Sequence, residues 1–151
     1  GYDYIMPSPE LTGVQLASIA EHSALAGRML IGIHGRTPLM QLLHCPIKEH
    51  KGCQNCMGIA GAVTDEAGRV FPLVNIRYPD NCLVRMLNCR TTDLIDLFDR
   101  IPQTAGYVLN FVGEQIDEVT ERIAAANEAM NGKRQTQYPN STRGHWVRKV
   151  E

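Results

Sequence analysis

Met29-Leu30-Ile31-Gly32-Ile33-His34-Gly35-Arg36 is the stretch that decides the fold. Residues 29–33 are apolar, short and closed by His34-Gly35, which predicts a buried strand. Upstream, Ser8-Pro9-Glu10 predicts a helix start: a side-chain cap, proline at the first helical position and an acid in the first turn. Leu11, Leu16, Ile19 and Ala20 share one face of that helix, and Gly27 ends it. Downstream, residues 38–61 show no sustained period and hold the first cysteines, so they read as a functional loop. Residues 62–64 and 69–71 flank Asp65-Glu66-Ala67-Gly68, a four-residue hairpin turn in which Asp65 and Glu66 are turn formers.

Residues 83–87 form the next strand candidate. Thr91 or Thr92 is expected to cap a short helix with Leu94, Ile95, Leu97, Phe98 and Ile101 on its apolar face, stopped by Pro102. Residues 107–112 are strand-like. The clearest helix follows over 115–131, with Ile116, Val119, Ile123, Ala126 and Met130 as its inner stripe and Gly132 as its terminator. Residues 133–141 are polar and aperiodic, and Thr142-Arg143-Gly144-His145 follows. This succession is α/β and favours a parallel sheet. About three parallel strands are few for a sheet standing alone, so the chain reads as part of a larger α/β domain.

The chain has 151 residues, with 15 basic against 16 acidic side chains. That is the size of one domain, and the balanced charge gives no overall pull towards nucleic acid or anionic membrane. No apolar run approaches the roughly 20 residues that span a bilayer, so no membrane partner is expected. The chain opens on Gly1, which reads as a piece of a longer protein.

Five cysteines carry the chemical signal, spaced Cys45-x7-Cys53-x2-Cys56-x25-Cys82-x6-Cys89. An odd number without a visible leader argues against a secreted disulfide framework and for thiols in a reducing compartment, the cytoplasm. Cys53 and Cys56 can turn to one centre if the Gly52 loop bends sharply. Four thiolates suit tetrahedral zinc or an iron–sulfur cluster. One close pair plus two singles fits a zinc ribbon poorly and a cluster better. The plain alternative is a set of buried thiols, and Cys89 is read that way. His44 beside Cys45 suits a supporting role more than ligation. His34 and Arg36 follow a strand end, where α/β domains place binding groups, and Arg36 could hold a carboxylate or phosphate there or lie on the surface. No dinucleotide or phosphate loop, zinc-protease motif or serine elbow is present.

These residues resemble a known family. Ser8-Pro9-Glu10-Leu11, residues 34–40 (His34-Gly35-Arg36-Thr37-Pro38-Leu39-Met40), His44-Cys45-Pro46-Ile47 with Gly52-Cys53 and Cys56, residues 64–73, Cys82 with Asn88, and Thr142-Arg143-Gly144-His145 resemble the collagenase-like peptidase family U32, in the same order over nearly the whole chain. The resemblance implies a β/α (TIM-like) barrel, of which residues 1–131 would be the C-terminal half. This half would carry a Cys-rich insertion at 38–61, a β-hairpin and a polar tail at 132–151. It implies that Cys45, Cys53, Cys56 and Cys82 hold an oxygen-sensitive four-iron, four-sulfur cluster. Relatives are described either as peptidases or as oxygen-independent hydroxylases of RNA or a quinone precursor, with prephenate as the oxygen source in several. Where relatives carry Ser after the asparagine, this chain has Cys89, so Cys89 is left out of the ligand set.

Function divides three ways on this reading: a cluster-bearing part of a hydroxylase, a peptidase, or a zinc-stabilised non-catalytic domain. No nucleophile–base pair is evident unless a cysteine pairs with His44 or His145, so catalytic residues are left open and the fragment alone is expected to be inactive. Arg143 and His145 are expected to return to the open end of the barrel and help bind an anionic substrate or close the site, the plain alternative being a disordered terminus, and His34 and Arg36 are further substrate-binding candidates. Leu30, Ile31, Ile33, Val108, Leu109 and Phe111 are expected near a core that the N-terminal half would complete. Without that half, the fragment is expected to self-associate, exchange elements with a second copy or remain only marginally stable; a closed homodimer is the simplest outcome.

Overall fold

Thr12 sets where the first helix starts. Its hydroxyl accepts from the Gln15 backbone N–H while the Gln15 side chain accepts from the Thr12 N–H, a reciprocal cap that opens α1 (Gly13–Ala20). The start expected at Ser8 is therefore corrected: Ser8 Oγ accepts from the Glu10 N–H in a local turn instead. The computed structural model describes residues 1–53, 56, 58–78 and 82–147. Gln54 and Asn55 of the cysteine motif and the last four residues of the tail lie outside the described residues. The chain is mixed α/β and divides into two compact units, Gly1–Gly35 with Thr91–Glu151, and Arg36–Arg90.

In the first unit, α2 (Ser23–Ala26) leads into β1 (Leu30–Gly35). β1 is central in a three-stranded sheet, parallel to β7 (Gly106–Leu109) and antiparallel to the two-residue β6 (Thr92–Asp93). Met29, Ile31 and Ile33 are buried there with Leu16, Leu94 and Ile95, and Leu11, Ile19, Leu97 and Phe98 pack against them. Of the other expected core residues, Leu30, Val108, Leu109 and Phe111 are half-buried. Burying a side chain such as Ile33 contributes about 1.5–3 kcal/mol, so this cluster dominates the unit's stability. The helix expected after Thr91 is a strand bridge followed by a 3₁₀ helix, Ile95–Arg100. The threonine cap does not form, because Thr92 and Asp93 pair with β1 and Thr142 bridges to Thr92.

The last helix, α4 (Ile116–Met130), closes as expected: the Gly132 N–H reaches the Ala129 carbonyl and the Lys133 N–H the Glu128 carbonyl, with Gly132 at φ 81°. Of its expected inner stripe, Ala126 is buried and Val119 half-buried, but the rest of the buried face differs. Arg122, Ala125, Ala126 and Ala129 point inward, while Ile116 is 75%, Ile123 46% and Met130 55% exposed. Small alanines let the helix approach the core closely, and that rotates the larger apolar residues outward.

In the second unit, β2 (Pro38–Leu42), β3 (Gly58–Thr64), β4 (Val70–Arg77) and β5 (Cys82–Leu87) form one antiparallel sheet in the order β2-β5-β4-β3. Residues 38–61, expected as a loop, thus supply β2, α3 (Pro46–Lys51) and part of β3. Most of β2 is exposed, so the strand carries no alternation to read. The expected hairpin is present: Thr64 pairs with Val70, and Asp65 Oδ1 accepts from the Ala67 and Arg69 N–H groups. Such short connections return the chain antiparallel, which is why the parallel sheet expected for the whole chain is confined to β1 and β7. Among the described residues the two sheets form no closed barrel.

Candidate functional site

The carboxyl end of β1 concentrates the polar chemistry of the first unit. Strand pairing of His34 with Asp93 brings their side chains together, with Nδ1 2.7 Å from Oδ2 and both side chains essentially sealed from solvent. Asp93 Oδ1 also accepts from the Ile95 N–H at 3.3 Å. A carboxylate only accepts, so Nδ1 carries a proton, and in the neutral imidazole Nε2 then carries the lone pair. Among the described residues no partner meets Nε2. Phe111 and Tyr138 lie beside the imidazole, with centroids 5.2 and 5.7 Å away. The Arg122 guanidinium carbon stands 4.4 Å from the Tyr138 ring centroid, a cation–π contact. Burial, with Glu118 adding to it, raises the Tyr138 phenol above its usual range.

Gly35 makes this strand end possible. Its φ is +139°, and a Cβ there would lie 2.6 Å from the Asn110 carbonyl oxygen, so β1 and the residue after β7 close together only over glycine.

Arg143 joins the same cluster from the tail. It donates to the Asp93 carbonyl at 2.9 Å and grips both Asp96 carboxylate oxygens, while the Asp93 N–H donates to the Thr142 carbonyl. Its fork is therefore engaged in holding the tail to the 3₁₀ helix. His145 is half-buried. Arg36 belongs to the second unit, where Nη1 donates to the Asn88 and Cys89 carbonyls at 2.9 and 2.7 Å, tying β2 to the end of β5. Sequence reasoning singled out His34 and missed Asp93, Tyr138 and Arg122. An aspartate directly before Leu94-Ile95 was the available signal for the first.

The candidate ligands all sit in the second unit and none is in a disulfide: Cys45, Cys56 and Cys82 are half-buried, Cys53 exposed. Cys45 precedes the first turn of α3 and Cys53 follows its Gly52 cap, while Ile47 of α3 packs on Gly61 of β3. Cys82 pairs with Arg77 at the end of β5. The buried Asn75 amide donates to Cys56 Sγ at 3.3 Å and to the Cys56 carbonyl at 3.1 Å. Among the described residues, no three His, Cys, Asp or Glu side chains are gathered closely enough to hold a metal. In donor chemistry the set fits a soft-metal group: thiols at the α3 ends and sheet ends of a single unit, one sulfur already receiving an N–H. His44, beside Cys45, meets the Glu49 carboxylate in an exposed contact, Nε2 to Oε2 at 3.1 Å.

No helix among the described residues is long and apolar enough to cross a membrane. In comparisons with known proteins, no family model, curated protein or solved structure matches this chain.

Proposed function

We propose that this chain is the cluster-bearing C-terminal part of an enzyme like those of peptidase family U32, acting in oxygen-independent hydroxylation of RNA or a quinone precursor. The observation that carries this reading is the Asn75 amide directed at Cys56 Sγ, in a unit that holds four further thiols. Hydrogen bonds to sulfur tune the potential of an iron–sulfur centre and orient its ligands. Cys45, Cys53, Cys56 and Cys82 would hold a four-iron, four-sulfur cluster, which when bound supplies single-electron transfer. The parallel β1–β7 pair with α4 after β7 is compatible with part of a β/α barrel, which the N-terminal half of the same protein would complete. The exposed Ile116, Ile123 and Met130 stripe would then meet that half, or a second copy of the fragment.

This chain's own residues would do the following. His34 and Asp93 present one acceptor nitrogen at the strand end, Tyr138 and Phe111 line it, and Arg143 holds the tail against Asp96. Peptidase chemistry finds less support: no hydroxyl or thiol meets His34 Nε2 among the described residues. Thiols outside any disulfide point to a reducing compartment such as the cytoplasm.

The test is anoxic purification of the whole protein, with iron and sulfide analysis and an absorption spectrum. A brown protein with about four irons is expected. Serine at Cys45, Cys53, Cys56 or Cys82 should remove most of the iron, and Cys89→Ser should retain it. A colourless protein carrying one zinc would replace this reading with a structural metal site.

A further inference from the structure

We propose that the carboxyl end of β1 is a ligand site in which His34 Nε2 accepts the hydrogen of a hydroxyl on a ligand with an apolar or ring-shaped body. The inference stands on the first unit alone and does not rest on the cysteines or on the family reading. A histidine placed only to tie β1 to β6 needs one hydrogen bond, and Nδ1 already makes it with Asp93. The second nitrogen is buried and unpartnered, an arrangement that lowers stability unless something from outside the chain completes it. With Nδ1 donating to the carboxylate, Nε2 of the neutral imidazole is an acceptor, and it selects a donor such as O–H over an ether, ester or carboxylate oxygen.

The neighbours narrow the class further. Phe111 and Tyr138 pack on the imidazole itself, so the surface bordering it is aromatic and suits an apolar or ring-shaped body. The place is also the one where α/β folds bind ligands. His34 ends a strand that runs parallel to β7, and its carbonyl accepts from the Asn110 N–H just past that strand. In a reaction that raises positive charge on the hydroxyl oxygen, the O–H bond breaks, the proton bonds to Nε2 and the electron pair stays on oxygen. The resulting imidazolium faces the Asp93 carboxylate, which is already hydrogen-bonded to Nδ1.

Long-range proton–nitrogen correlation NMR of the 15N-labelled full chain tests this with two probes of matching shape, cyclohexanol and its methyl ether. Cyclohexanol should move the His34 Nε2 resonance saturably, and the ether should bind at least about tenfold more weakly and leave Nε2 in place. His34→Gln should abolish the tenfold preference. Asp93→Asn can donate to Nδ1 and shift the proton to Nε2, so the same spectrum should show the exchanged tautomer together with loss of the preference. If His34→Gln does not fold, the wild-type titration and Asp93→Asn still decide. Equal affinity for the two probes, no response to either, or an Nε2 already protonated or hydrogen-bonded in the free protein would overturn the proposal.

Discussion

The two units solve the problem of staying folded in different ways. The first buries a continuous apolar cluster, from Leu16 and Met29 through Ile33 and Ile95 to Ala129. In the second, only Leu73, Asn75, Val84 and Leu87 are buried among the described residues. Its sheet rests on backbone ladders and hairpins, which contribute modestly once water is counted. Small units with thin cores commonly draw stability from a metal or other cross-link, and this is the unit that holds all five thiols. The difference teaches that chemistry and packing are divided here: the apolar unit buries the His34–Asp93 pair within its core, and the cysteine unit buries fewer side chains among the described residues.

The largest expected effect breaks that comparison directly. Stripping iron from the anoxically purified protein should abolish amide-exchange protection in β3, β4 and β5 while protection in β1 and β7 persists. Equal protection in both units after metal removal would mean that the second unit needs no metal. Asp93→Ala comes next: it leaves the buried His34 Nδ1–H without its acceptor and should cost about 1–3 kcal/mol in urea titrations that follow the first unit. A smaller effect sharpens the account of α1, since Thr12→Ala should cost about 1 kcal/mol and Ser8→Ala close to nothing in the same titrations. The smallest concerns the outward stripe of α4. Ile116→Glu with Ile123→Glu should change stability by less than about 0.5 kcal/mol each, yet reduce concentration-dependent association in sedimentation.

Legibility followed the same division. The strand at β1, the hairpin at Asp65–Gly68 and the span of α4 were readable because each is local: an apolar run, a turn former and a glycine terminator act within a few residues. The helix start was misplaced because Ser8-Pro9-Glu10 and Thr12 with Gln15 are both valid caps, and the reciprocal pair of bonds forms. β2 went unseen because an exposed strand shows no alternation. The inner face of α4 was misjudged because periodicity marks every apolar residue equally, whereas packing favoured the alanines that allow close approach.

The amino-acid sequence by itself determined the mixed α/β class, the balanced charge, the strand at β1, the Asp65–Gly68 hairpin and the span of α4, since each follows from composition and short-range pattern. Only the tertiary structure decided that Asp93 meets His34, that Arg143 is spent on Asp96, and that Asn75 points at Cys56. Those pairs join residues far apart in the chain. Strand register and helix rotation fix them, and both are set by how whole surfaces pack together.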